Sequence, residues 1–325
     1  MPAIETDGLT RRFGDLTAVD ALNLTVEDGE VFGFLGPNGA GKSTTINMLL
    51  GFLKPSEGSA TVLGQDAASQ SRAVRQRTGL LPEGFELYEN LTGREHVVSA
   101  IDTKNADDDP DHLIERVGLE PEAARRRAGG YSKGMTQRLA LAVALVGNPD
   151  LLILDEPSSG LDPKGAKLLR EIVREEADRG ATVFFSSHIL GQVEQVCDRV
   201  GIMNKGEMVA VDTIDALRDQ MGAESVVEAE VAGSPDTEAV AALDGVRAVS
   251  VDGSRVEVAC TQPAAKMPAL RALDDAASVT DIAVEDADLE ALFERYTGED
   301  AGSAENTGDT GPAPEAAAAT GGGDA

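Results

Sequence analysis

Tryptophan is absent from this 325-residue chain and aromatic side chains make up only 3% of it, so its cores must be filled by aliphatic packing rather than by large rings. Cysteine occurs only at Cys197 and Cys260. The two are far apart in sequence, and neither stands in a Cys-x-x-Cys pair or beside a histidine, which excludes a disulfide framework and a Cys/His zinc site. They read as reduced core thiols. No apolar run approaches the roughly 18 residues needed to cross a bilayer, and the N-terminus lacks a basic stretch followed by an apolar one. The expectation is a soluble, cytoplasmic chain.

Positive charge is also scarce: 28 Lys and Arg stand against 57 Asp and Glu, a formal net charge of -29. A sequence-independent grip on nucleic acid needs the opposite sign. Beyond residue 300 the only acids are Glu305, Asp309, Glu315 and Asp324, so the acidity is spread along the folded part, and lysine occurs at only eight positions. This pattern predicts a halophilic protein, one suited to a high-salt cytoplasm. A Debye length of about 3 Å at molar ionic strength would screen its self-repulsion.

Hydrophobic residues reach 42%, enough for real cores, and the length suits a larger domain with a smaller one. The most informative stretch is Gly36-Pro37-Asn38-Gly39-Ala40-Gly41-Lys42-Ser43-Thr44, which satisfies the phosphate-loop pattern Gly-x-x-x-x-Gly-Lys-Ser/Thr. Its context agrees. Val31-Phe32-Gly33-Phe34-Leu35 reads as a buried strand before it, and Thr44 to Leu53 as a helix after it. Glycines let backbone N–H groups close around phosphate oxygens, and the helix N-terminus adds partial positive charge. Lys42 suits the β- and γ-phosphates, and the Ser43 hydroxyl suits Mg²⁺, a hard ion that keeps several waters.

Leu151-Leu152-Ile153-Leu154 and Thr182-Val183-Phe184-Phe185 are short apolar runs, as parallel strands buried on both faces require. Asp155 and Glu156 follow the first, at the strand end where open α/β sheets place ligands. Asp155 suits holding Mg²⁺, directly or through water, and Glu156 suits polarising an attacking water beside the γ-phosphate. His188 closes Ser186-Ser187-His188 after the second run, where contact with a γ-phosphate stands beside an ordinary surface role. His96 and His112 lie in polar, helical surroundings and read as surface residues. Tyr131-Ser132-Lys133-Gly134-Met135 precedes a helix through Leu139, Val143 and Val146, with Ser132 as N-cap. A hydroxyl and a glycine at a helix start can meet a phosphate or simply cap the helix.

Organisation along the chain divides into residues 1–220, an α/β unit with a helical part at about 90–148, and residues 221–300, a smaller α+β unit. Asp107-Asp108-Asp109-Pro110 marks a break ahead of a helix from Asp111 to Val117. In the smaller unit, strand Val226 to Val231, helix Asp236 to Leu243, strands Val246 to Val251 and Arg255 to Cys260, a helix through Met267, Leu270 and Leu273, and strand Val279 to Val284 give β-α-β-β-α-β, the ferredoxin-like order. Asp252-Gly253 is its hairpin signal. An amphipathic helix through Leu289, Leu292, Phe293 and Tyr296 follows, stopped by Gly298. Residues 301–325 are too polar and small to repay ordering and read as disordered.

Together these residues resemble the ATP-binding subunit of an ABC transporter over essentially all of residues 4–215. Gly36 to Thr44 matches the Walker A motif, Leu151 to Glu156 the Walker B motif with its catalytic glutamate, Ser159-Gly160-Leu161-Asp162 the D-loop and His188 the switch histidine. Tyr131 to Met135 occupies the signature position. Phe13, before Gly14, matches the aromatic that stacks on adenine, with Gly58 to Leu63 expected in the small antiparallel part that holds the base. The resemblance implies ATP and Mg²⁺, a phosphate-loop α/β fold, a head-to-tail dimer of two such subunits in which Ser132 and Gly134 complete the partner's γ-phosphate site and Asp162 bridges across, and an integral-membrane permease that holds the dimer on the cytoplasmic face.

Two positions depart from the commonest family pattern. Glu83, after Pro82, stands where a glutamine usually contacts Mg²⁺, and the signature reads Ser-Lys-Gly-Met. Both departures, and the stretch Asp288 to Tyr296, resemble the branch that pairs with ABC-2 type export permeases of the drug- and sodium-efflux kind. A soluble relative acting on ribosomes or DNA would carry two such domains or a coiled coil, and neither is visible. Asn204-Lys205-Gly206-Glu207 brings a guanine-reading motif to mind, but Glu207 stands where aspartate is needed.

Overall fold

Two long strands open the chain, β1 (Ile4–Phe13) and β2 (Leu16–Val26), paired antiparallel across a tight turn. The computed structural model describes residues 1–220, 225–233, 237–261 and 263–285. Next comes β3 (Val31–Leu35), buried at every position. The phosphate loop then leads into α1 (Lys42–Leu49), β4 (Glu57–Val62), β5 (Gln65–Asp66), α2 (Ser71–Arg77) and β6 (Thr78–Leu81). The expected helical part holds α3 (Gly93–Lys104), α4 (Pro110–Arg116), α5 (Pro121–Ala124) and α6 (Lys133–Leu145). Strand and helix then alternate through β7 (Leu151–Asp155), α7 (Pro163–Asp178), β8 (Thr182–Ser187) and α8 (Leu190–Glu194). The hairpin of β9 (Arg199–Asn204) and β10 (Glu207–Thr213) and helix α9 (Ile214–Gln220) complete the unit.

Six strands form one sheet in the order β10-β9-β3-β8-β7-β6, parallel except for β10 at its edge. Parallel strands covered on both faces need apolar side chains on both, which is why β3 and β7 and most of β8 are continuous hydrophobic runs. Because the strands run in one direction, the segments after β3, β6, β7 and β8 all emerge at the same edge. Phe32 and Phe34 on β3 pack against Phe184 on β8, with ring centroids 5.8 and 5.0 Å apart. These three buried rings pack together between β3 and β8, where Phe184→Ala would cost about 3–5 kcal/mol.

The antiparallel sheet β2-β1-β4-β5 contains Phe13 and residues 58–62, as expected of the base-holding part. Helix α1 differs from expectation at both ends. It begins at Lys42 rather than Thr44, and it stops at Leu49 because Gly51 adopts a left-handed φ of 65° and the Phe52 and Leu53 amides turn back to the Asn47 carbonyl. Helix α4 starts one residue early, with Pro110 in its first turn and the Asp109 side chain accepting from the Asp111 amide.

Residues 225–285 have a core of their own around Val227, Val240, Val256, Val258, Ala269 and Leu273. Their elements are β11 (Ser225–Val231), α10 (Glu238–Ala241), β12 (Val246–Asp252), β13 (Arg255–Cys260), α11 (Lys266–Ala276) and β14 (Val279–Glu285). The antiparallel order β12-β13-β11-β14 is the ferredoxin-like arrangement. Helix α10 is shorter than the expected span, whose first residue, Asp236, lies outside the described residues. The helix expected through Leu289 to Tyr296 and the tail 301–325 also lie outside them. Cys197 and Cys260 are both buried free thiols, and burial pushes the Cys197 thiol well above its ordinary value.

Candidate functional site

The phosphate loop joins β3 to α1, and its shape depends on glycine at defined places. Gly41 sits at φ 110°, and a Cβ there would meet the Ala18 carbonyl at 2.4 Å. The loop is braced from the β9–β10 turn: the Gly206 amide donates to the Ala40 carbonyl at 2.9 Å, and the Gly206 carbonyl accepts from the Asp20 amide at 2.8 Å. That turn is the Asn204-Lys205-Gly206-Glu207 run. Lys205 and Gly206 have φ of 48° and 90°, the positive pair that a two-residue hairpin requires, so the guanine-like motif is a turn.

Lys42, although charged, is buried. Its ammonium donates to the Gly36 carbonyl at 2.6 Å and the Pro37 carbonyl at 3.3 Å, and lies 3.7 Å from Glu156 Oε1. The Ser43 hydroxyl donates to Asp155 Oδ2 at 3.1 Å. His188 Nδ1 lies 2.9 Å from Glu156 Oε2. The residues expected from three separate sequence segments are therefore within one cluster, because β3, β8 and β7 are neighbours in the sheet and end together.

Electrostatics at this cluster are set by burial. The Asp155 carboxyl is raised above the ordinary aspartate range, chiefly by desolvation; the Ser43 hydroxyl and the Lys42 ammonium work against that rise, and the Glu83 carboxylate adds to it. Glu83 is exposed just past β6, and its field reaches Asp155. Asp155 Oδ1 and Glu156 Oε1 are buried without a hydrogen-bond partner. A buried anionic oxygen without a partner, beside a serine hydroxyl, is a donor set that fits a hard cation. Among the described residues no group of three or more His, Cys, Asp or Glu is placed to hold a metal ion. Glu156 also has a left-handed φ of 49°, a conformation that costs a side-chain-bearing residue on the order of 1–3 kcal/mol.

The signature segment lies elsewhere. Ser132 caps α6, accepting from the Met135 amide at 3.3 Å, and its hydroxyl is exposed. With Lys133, Gly134, Arg138, Gly160 and Asp162 it borders an open groove of about 870 Å³ whose lining includes no phosphate-loop residue. Asp162 caps α7, accepting from the Gly165 amide at 2.9 Å. Phe13, at the end of the β1–β2 hairpin, is 45% exposed, and the Arg11 guanidinium lies 4.5 Å from its ring centroid.

One histidine departs from expectation. His96 is buried rather than on the surface: Nε2 accepts from the Tyr88 amide at 3.0 Å, so Nδ1 is the protonated nitrogen and donates to the Thr92 carbonyl at 2.7 Å. A polar helical context conceals this, because the burial comes from the loop that folds back from β6. His112 is exposed as expected. Sequence reasoning also passed over Gln137 and Gln192, both hydrogen-bonded around Glu156. The available signal was their spacing, five residues past Ser132 and four past His188.

A phosphate-cradling loop, a lysine, a serine–aspartate pair and a glutamate–histidine pair on one parallel-sheet edge define a phosphate-loop nucleoside triphosphatase. Residues 19–159 match the ABC transporter family. The bacitracin transport ATP-binding protein BcrA of Bacillus licheniformis is 42% identical over 221 residues, 66% of this chain and 71% of that one. The daunorubicin resistance ATP-binding protein DrrA3 of Streptomyces coeruleorubidus is 34% identical over 308 residues, 92% of this chain and 96% of that one. A solved ATP-binding subunit of an ABC transporter aligns with a TM-score of 0.63 at 31% identity, covering 68% of this chain and 93% of that chain. The chain belongs to the ABC transporter family as an ATP-binding, ATP-hydrolysing subunit.

Proposed function

We propose that two copies of this chain, arranged head to tail on the cytoplasmic face of a membrane, drive a separate ABC-2 type export permease. The observation that carries the dimer is the separation of the phosphate loop from the Ser132 groove within one chain. Each is half of a phosphate site, and a second copy supplies the other half. Export is supported by relatives whose names refer to bacitracin transport and daunorubicin resistance. Among the described residues no helix is long and apolar enough to cross a membrane, and the membrane path in this reading comes from the permease.

In this reading the loop amides and Lys42 bind the β- and γ-phosphates, and Phe13 stacks on adenine. Ser43 and Asp155 hold Mg²⁺, which when bound neutralises charge between the phosphates. Glu156 takes up the proton side of the attacking water, and His188 orients against the γ-phosphate. Ser132 and Gly134 close over the partner's γ-phosphate, with Asp162 beside them. Closure follows from the higher affinity of ATP for the closed pair, and hydrolysis releases it.

The permease contact is assigned to a groove of about 360 Å³ lined by Phe52, Phe85, Tyr88, Leu91 and Val143, with Lys104 at its side. Phe85 and Glu83 share the loop between β6 and α3, so a segment seated in this groove touches the loop that carries charge toward Asp155. That gives Glu83 a role in coupling beyond any contact with the metal. Co-purification of the intact chain with a multi-helix membrane protein supports this function; sedimentation with ribosomes in its place overturns it.

A further inference from the structure

The loop after Glu156 is gripped from two sides. From α6, the Gln137 amide donates to the Pro157 carbonyl at 2.9 Å and to the Glu156 carbonyl at 3.4 Å. From α8, the Gln192 side-chain carbonyl accepts from the Ser158 hydroxyl and, at 3.2 Å, from the Ser187 hydroxyl. Ser187 immediately precedes His188, and its backbone carbonyl accepts from the Gly36 amide at 3.3 Å. Two glutamines on two helices thus tie together the peptide of Glu156, the loop beyond it, the strand end that carries His188 and the first residue of the phosphate loop.

The grip falls where the backbone is least willing to stay. Glu156 is in the left-handed region at φ 49°, and the strand β7 ends one residue before it. A non-glycine residue keeps such a conformation only when its surroundings fix the peptides on both sides. The Glu156 amide is fixed by donation to the Ser186 carbonyl at 3.1 Å. Its carbonyl, and the next, are fixed by Gln137; the following side chain is fixed by Gln192.

We infer that Gln137 and Gln192 are positioning residues for hydrolysis: they clamp the Glu156 peptide and thereby set the Glu156–His188 contact. The inference rests on the reading of Glu156 as the group that polarises water. It adds a route between sites. Ser132 caps the same helix that carries Gln137, so in the head-to-tail dimer a nucleotide pressed against Ser132 by the partner bears on the helix that holds this subunit's own glutamate.

Steady-state ATPase kinetics of the full chain test this. Q137L and Q192L should each lower kcat about ten-fold, the effect of losing a positioning hydrogen bond, with the KM for ATP within about two-fold of the parent. Q192E keeps an acceptor for both hydroxyls and should restore most of kcat, whereas Q137E loses the donor and should not. The double variant Q137L/Q192L should lose less than the product of the single effects, because both residues hold one loop. A raised KM with unchanged kcat, a Q192E as slow as Q192L, multiplicative losses, or losses that merely track melting temperature across the set would each overturn the clamp. Wild-type turnover in E156Q would overturn the underlying reading of Glu156, and the clamp with it.

Discussion

His188 Nδ1 stands 2.9 Å from Glu156 Oε2, joining an imidazole whose side chain is 46% exposed to a carboxylate that is buried. The histidine therefore spans from the Glu156 carboxylate to the open side of the site, where a γ-phosphate arrives in the proposed function. Glu156→Gln keeps the shape and removes the charge. Hydrolysis should fall by about 10²–10⁴-fold while ATP still binds, and the chain should accumulate as an ATP-bound dimer in light scattering. His188→Ala should lower kcat with ATP affinity nearly unchanged in equilibrium titration.

Phe13 is stacked beneath the Arg11 guanidinium, which is itself held by donation to the Lys54 carbonyl at 2.8 Å. Phe13→Ala should weaken ATP by about ten-fold or more, since base–aromatic stacking contributes about 1–3 kcal/mol. Phe13→Trp should retain affinity. Fluorescent-nucleotide titration measures both, and an unaltered Kd in the alanine variant removes Phe13 from the base site.

His96 joins α3 to the loop that carries Tyr88, through one ring nitrogen as acceptor and the other as donor. His96→Leu leaves the Tyr88 amide without its acceptor and should cost about 1–3 kcal/mol in urea unfolding. Gln at this position keeps an acceptor near Nε2 and should recover much of that loss.

Residues 225–285 bury their own apolar cluster, separate from the two clusters that lie under the phosphate loop and the helical part. A chain ending at residue 220 should therefore fold and hydrolyse ATP. Circular dichroism and phosphate release check this; loss of folding would make the smaller unit part of the ATPase core.

The net charge of -29 predicts that stability rises with salt. Molar KCl screens surface repulsion to within about 3 Å, so the melting temperature should rise with salt. A melt unaffected by KCl would remove the halophilic reading.

Local chemistry made much of the site legible in advance. Gly36 to Thr44, Asp155-Glu156 and Ser187-His188 each follow a strand whose apolar run is visible by itself, and a parallel sheet brings strand ends to one edge. The β-α-β-β-α-β order of residues 225–285 was legible for a similar reason, since alternation and the Asp252-Gly253 turn are local signals. The burial of His96 was not legible, because the residue that covers it, Tyr88, comes from the irregular loop just before α3, outside the helical repeat that the sequence pattern reads. Nor was the end of α1 at Leu49, where Gly51 and the close approach of Ala67 override an apolar periodicity that continues to Leu53.

The sequence by itself determined the family and its ATPase chemistry: residue types at fixed spacing after buried strands suffice to mark a phosphate loop and the acidic strand end beside it. Only the tertiary structure decided which residues hold that chemistry in place. The hydrogen bonds from Gln137 to the left-handed Glu156 peptide and from Ser158 to Gln192 arise between residues 19 to 34 apart in sequence. Hydrogen bonds at such separations depend on how helices pack against the sheet, so the spacing of Gln137 and Gln192 from Ser132 and His188 marks the residues but not what they bind.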